Sequence, residues 1–135
     1  MPVEGMGGLF FRAKDPDALS QWYKTHLGVG PGMGPGGETH GNEWLWLTGA
    51  GPMVFQPFKE STDYFRPEKQ FMINFRVSGL DAMVERLEAA GIAVLSDPDW
   101  DAPGVGRFRR IHDPEGNAIE LWEPDAAAAP DTAAT

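Results

Sequence analysis

Apolar positions along the chain switch repeatedly between period two, the mark of a half-buried strand, and helical spacing. Residues 6–13 alternate, with Leu9, Phe11 and Ala13 on one face and Gly8, Phe10 and Arg12 on the other. Asp15-Pro16 then opens a helix as N-cap and first-turn residue. Leu19, Trp22, Tyr23 and Leu27 form its buried stripe, and Gly28 closes it. In residues 43–47 Trp44 and Trp46 oppose Leu45 and Leu47. A Gly-Ala-Gly-Pro turn at 49–52 leads to residues 53–58, so the two runs predict a hairpin. Paired tryptophans on one strand face ordinarily mean core; a wall on which a ligand stacks is the alternative. Residues 59–70 are polar, carry Tyr64 and Phe65, and connect two halves.

The second half repeats the rhythm. Residues 71–77 predict a strand, and Leu80, Met83, Val84 and Leu87 predict a helix ended by Gly91. Residues 93–95 start another strand, and 97–106, with Trp100, read as a loop or lid. Residues 107–112 form a strand, then Asp113-Pro114-Glu115-Gly116-Asn117 makes a tight turn. Pro114 fixes its φ there, and Gly116 or Asn117 supplies the positive φ. In the strand that follows, Ile119 and Leu121 face one way while Ala118, Glu120 and Trp122 face the other. Glu120 is thus a carboxylate inside a strand, which requires a metal, an arginine, another donor or water. Phe11-Arg12-Ala13 matches Phe75-Arg76-Val77, and Asp17-Ala18-Leu19 matches Asp81-Ala82-Met83, both at an offset of 64 (75 − 11 and 81 − 17). The predicted fold is α+β: one domain, 1–125, of two tandem βαβββ modules, 5–58 and 71–123, whose curved mixed sheets enclose a cavity. Residues 126–135 are a flexible alanine-rich tail.

Composition narrows the function. The 135 residues contain no cysteine, which excludes disulfides, thiolate nucleophiles and cysteine-based zinc sites. A net charge of −9 argues against nucleic acid, and the cluster Arg107, Arg109, Arg110 is too small to reverse it. No apolar run reaches membrane-spanning length and no signal peptide is visible, so the expectation is a cytoplasmic protein. Gly32-Met33-Gly34-Pro35-Gly36-Gly37 fits a dinucleotide fingerprint in letters only. It follows a helix, where that motif must follow a strand and open a helix.

Three stretches together, Phe10 to Pro16 with Trp22-Tyr23 and Leu27-Gly28, Phe71 to Val77, and DPEGN followed by Ile119-Glu120-Leu121, resemble the vicinal oxygen chelate superfamily of glyoxalase I, bleomycin-resistance proteins and extradiol dioxygenases. The resemblance spans nearly the whole chain except its ends and implies the fold of that superfamily, its cavity and a homodimer. It says less about chemistry, because one fold hosts many functions. Its metal-ligand places fall on Gly8, Gln56, Met72 and Glu120, and Gly8 to Met72 and Gln56 to Glu120 keep the same offset of 64 (72 − 8 and 120 − 56). Only Glu120 is a good ligand and Gln56 a weak one, where a tight site wants about three or four. A divalent ion (Zn, Ni, Mn or Fe) on Glu120 and Gln56 therefore stays open, and no cofactor is firmly expected.

Glu120 and His112 are the candidate acid and base. Gln56, Met72, Asn74, Arg12, Arg76, Trp44, Trp46 and Tyr64 are the candidate ligand contacts. A plainer reading has Arg12 or Arg76 pairing with Glu120 only to satisfy buried charge. Two functions stand side by side: a protein that sequesters or carries a small molecule, and a glyoxalase-like lyase, isomerase or dioxygenase with an altered site.

Overall fold

The computed structural model describes residues 2–126; the expected tail lies almost wholly outside them. Helix α1, Pro16–Leu27, begins where the sequence places it. The Asp15 carboxylate accepts from the Ala18 N–H, and Gly28 ends the helix in the left-handed conformation at φ 66°. Strand β1 is Ile73–Arg76, helix α2 is Leu80–Ala89, β2 is Gly106–His112 and β3 is Ala118–Pro124. The two helices start 64 residues apart (80 − 16), the spacing of the sequence repeat.

The strands form one mixed sheet in the order β1-β3-β2, with β1 parallel to β3 and β2 antiparallel to it. Leu95 makes an isolated antiparallel bridge to Arg110 on the far side of β2, where the sequence predicts a short strand. Gly116 takes the positive φ of the hairpin turn. The register sets Asn74 and Arg110 on either side of Glu120, and Ile111 opposite Ile119.

Parity then sorts the faces. Ile111, Ile119 and Leu121 are fully buried with Leu80 and Leu87 of α2 and with Leu19 and Tyr23 of α1. Each such aliphatic side chain contributes about 1.5–3 kcal/mol when fully buried. Both helices thus cover one face of the sheet, and Glu120 belongs to the other.

The first half departs from expectation. Among the described residues, 6–13 and 43–58 form no strand ladder. A period-two pattern defines a face, but a strand also needs a continuous ladder of N–H and C=O partners; among the described residues the 43–58 run gets only isolated bonds, such as those from Gly32 N–H to the Leu45 carbonyl and from Leu47 N–H to the Met33 carbonyl. Their apolar side chains are left outside: Phe10 is 92% exposed, Phe55 81% and Trp44 77%. The two tryptophans are therefore not core. Trp46 meets Phe75 edge-on at 5.8 Å, whereas Trp44 stands in the open.

What ties α1 to the sheet is the hairpin turn. Tyr23 Oη donates to Asp113 Oδ2 at 2.7 Å in a buried bond. Asp113 also accepts from the backbone N–H groups of Glu115 and Asn117 and from Asn117 Nδ2. Glu115 in turn accepts from the N–H groups of Lys14 and Asp15, just ahead of α1. Tyr23→Phe should lower the unfolding free energy by about 1 kcal/mol. Asp113→Ala should cost clearly more, because it strands several buried donors at about 1–3 kcal/mol each where they find no water. Urea denaturation of both variants measures the difference, and equal losses would show that the turn does not depend on this carboxylate.

Candidate functional site

On the face away from the helices, Glu120 is 7% exposed and both its oxygens are taken by neutral donors. Tyr64 Oη donates to Oε2 at 2.5 Å, and Asn74 Nδ2 donates to Oε1 at 2.8 Å. Asn74 is delivered by β1, the parallel neighbour of β3; Tyr64 comes from the connection between the halves, reaching across the sheet. Burial, then the bond to Glu120 and its charge, push the Tyr64 hydroxyl up to about 12, against the opposing charge of Arg110. The phenol is accordingly a proton-bearing donor at neutral pH.

Arg110 lies directly across the β2–β3 pair from Glu120 and is 6% exposed. The two do not form an ion pair. Arg110 Nη1 instead donates to the Tyr64 carbonyl at 2.9 Å, and its guanidinium carbon lies 4.7 Å from the Tyr64 ring centre and 5.3 Å from that of Trp100. Phe58 meets Tyr64 edge-on at 5.7 Å and Phe65 at 5.9 Å. A carboxylate, a guanidinium and an amide thus sit on the sheet beneath aromatic rings carried by connecting segments.

The other expected residues are distributed as follows. His112 is on the same face, two positions from Arg110. Burial first, then the charges of Arg110 and Arg66, hold its imidazole below the ordinary histidine range, so it is a neutral base at pH 7. Arg76 donates to the Pro52 and Gly49 carbonyls and pins the 49–52 turn rather than meeting Glu120. Met72 is half-buried. Gln56 and Arg12 are exposed and make no side-chain hydrogen bond or ion pair among the described residues. At Gly8 an added Cβ would meet only the Phe10 ring. Arg110 and Trp100 enter the site without having been singled out from the sequence. A signal for Arg110 was present: a hairpin closed at 113–117 sets 110 opposite 120.

These residues do not fit a resident divalent ion. No group of three His, Asp or Glu side chains converges among the described residues, and both Glu120 oxygens already accept from the protein.

The glyoxalase-like domain family model matches residues 8–122. The chain belongs to the glyoxalase-like domain family. It is thereby a member of the vicinal oxygen chelate superfamily, as the sequence resemblance implies. Among solved structures, TnmS3, an antibiotic binding protein from Streptomyces sp. CB03234, matches with a TM-score of 0.57 at 21% identity, over 93% of this chain and 99% of that one. At that identity the match establishes a shared fold. No curated protein matches the sequence significantly. Among the described residues no helix of this glyoxalase-like chain is long and apolar enough to cross a membrane.

Both tyrosines of the chain, buried Tyr23 and half-buried Tyr64, donate to carboxylates, and both are raised above the ordinary value of 10.0. A raised folded-state value favours folding below the unfolded-state value and loses that contribution as pH rises toward the folded one. An ultraviolet pH titration should therefore show no phenolate until the pH passes about 10, the unperturbed tyrosine value, with its appearance coinciding with loss of the near-ultraviolet circular dichroism. A phenolate formed near that value in a still-folded protein would mean that Tyr64 does not rest on Glu120.

Proposed function

We propose that this glyoxalase-like protein captures a small organic molecule on the Glu120 face of its sheet and sequesters or carries it without chemical change. The observation that carries this reading is the Tyr64–Glu120–Asn74 arrangement: a buried carboxylate held by neutral donors and roofed by aromatic rings. Ligand sites combine that kind of apolar wall with a few fixed polar groups. The shared fold with TnmS3, an antibiotic binding protein, supports binding as the role. The reaction-based alternative would use Glu120 and His112 as acid and base, yet Glu120 already accepts from Tyr64 and Asn74, neither of them His112.

In this reading the exposed segments 6–13 and 43–58 are the remaining strands of the first βαβββ module. They find their partners in a second copy of the chain, as a homodimer with twofold symmetry, the commonest arrangement for soluble oligomers. Extended segments outside any strand ladder that bear exposed phenylalanine and tryptophan are hazards for a monomer, and pairing removes them.

Glu120→Gln separates a binding role from a structural one. If Glu120 serves the ligand, the variant should melt close to the parent while losing the thermal shift given by hits from a screen of planar aromatic metabolites. A loss of about 1–3 kcal/mol in stability with the ligand response intact would make Glu120 a scaffold residue, that being the range for a buried group left poorly paired. Assembly is checked by sedimentation at micromolar protein: the expected species has twice the 14.7 kDa chain mass, and a 14.7 kDa species alone would overturn the dimer.

A further inference from the structure

Arg110 is the one buried side chain among the described residues with polar atoms left unmatched. Nη1 is occupied by the Tyr64 carbonyl, while Nε and Nη2 are buried and without a partner. These two atoms form one edge of the guanidinium, with two N–H groups pointing the same way, and that fork matches the two oxygens of a carboxylate. Burying a cation with an empty donor edge is unfavourable unless something accepts from it. Glu120 does not, since its oxygens are held by Tyr64 and Asn74.

The surroundings favour an anion at this point. Burial first, then the charges of Arg110 and Arg66, disfavour protonation of His112 against the opposing charge of Asp113, so two cations act at this end of the face although the whole chain carries −9. The walls are aromatic, with Tyr64 and Trp100 against the guanidinium and Phe58 against Tyr64. Tyr64 and Trp100 both belong to connecting segments rather than to the sheet, so admitting a ligand breaks no strand pair, only contacts such as the Tyr64 bonds to Glu120 and Arg110.

We infer that the Nε–Nη2 edge of Arg110 receives the carboxylate of an aromatic ligand whose ring lies among Tyr64, Trp100 and Phe58. This rests on the Glu120 face being the ligand site, and it names the ligand's chemical class. A neutral carbonyl offers the fork only one uncharged acceptor and a cation offers none; an aromatic carboxylate answers both N–H groups with charge and brings its own stacking surface.

Naphthoate and naphthamide, which differ only in the anionic group, test the inference on the full-length protein. Naphthoate should bind, quench tryptophan fluorescence through Trp100 and raise the melting temperature. Naphthamide should bind roughly tenfold more weakly or worse, the loss expected when a charge-assisted pair becomes a neutral one. Arg110→Lys, which keeps the charge and removes the fork, should erase most of the discrimination, and Trp100→Leu should remove the quenching. If Arg110→Lys fails to fold, the two probes on the parent protein still decide. Equal affinity for both probes, with quenching, overturns the carboxylate assignment and leaves the ligand face standing. No response to naphthoate, or a crystal soaked with it showing only water on Nε and Nη2, also overturns the assignment. The broader reading falls only if Glu120→Gln in addition leaves every screening hit unaffected.

Discussion

The carboxylate of Asp113 holds the described structure together. One residue closes the hairpin turn by accepting from the N–H groups of Glu115 and Asn117, and the same residue receives the buried hydroxyl of Tyr23 from the middle of α1. Without it, α1 would be attached to the sheet only by apolar contact and by the Glu115 bonds to the chain ahead of the helix. With it, the helix has a fixed height and rotation over β3, which presses Leu19 and Tyr23 into the same core as Leu80 and Leu87. The order of β3 follows. Its inward residues, Ile119 and Leu121, are fixed under the helices, so Glu120 between them has only the opposite face to occupy.

That parity argument was available from the sequence, as were both ends of α1, the apolar stripe of α2 and the turn. All of them rest on signals within a few residues: an Asp-Pro cap, a C-cap glycine, a stripe at helical spacing, alternation around a tight turn. The segments 6–13 and 43–58 show where such signals stop. Their alternation is as clear as that of β3, but β3 has β1 and β2 to complete its hydrogen bonds, and these segments have no ladder partner in the described chain. Alternation reports which side chains share a face, and nothing local reports who supplies the neighbouring strand.

The site divides along the same line. Glu120 and Tyr64 were both legible as candidates, Glu120 from its place on the strand and Tyr64 as an aromatic in a polar connection. Their meeting was not, since 56 residues separate them and a connecting segment has no register to count. Arg110 is the reverse case. Its opposition to Glu120 is a matter of register across a short hairpin, yet its basic neighbours Arg107 and Arg109 made it look like part of a surface cluster. In the structure Arg107 binds Asp81 and Glu123, Arg109 binds Asp101, and Arg110 alone turns beneath the aromatic roof.

The three arginines differ in how far the protein answers their charge. Arg107 is fully answered: Asp81 and Glu123 accept from it, and Glu123 also accepts from the Leu80 N–H at the start of α2; the Arg107 bond first, then the Leu80 bond, hold the Glu123 carboxyl below its usual range. Such a network orders a helix end and asks for nothing further. Arg110 is deeper and less satisfied, opposite a carboxylate that is committed elsewhere. A buried cation that only supported the fold would be expected to find its counter-charge in the protein, because desolvation is otherwise uncompensated. A binding residue is under the opposite constraint, since a group whose every donor is already used has none left for a ligand. Incomplete satisfaction at Arg110, beside complete satisfaction at Asp113 and Arg107, is what sets this arginine apart from its neighbours in the described structure.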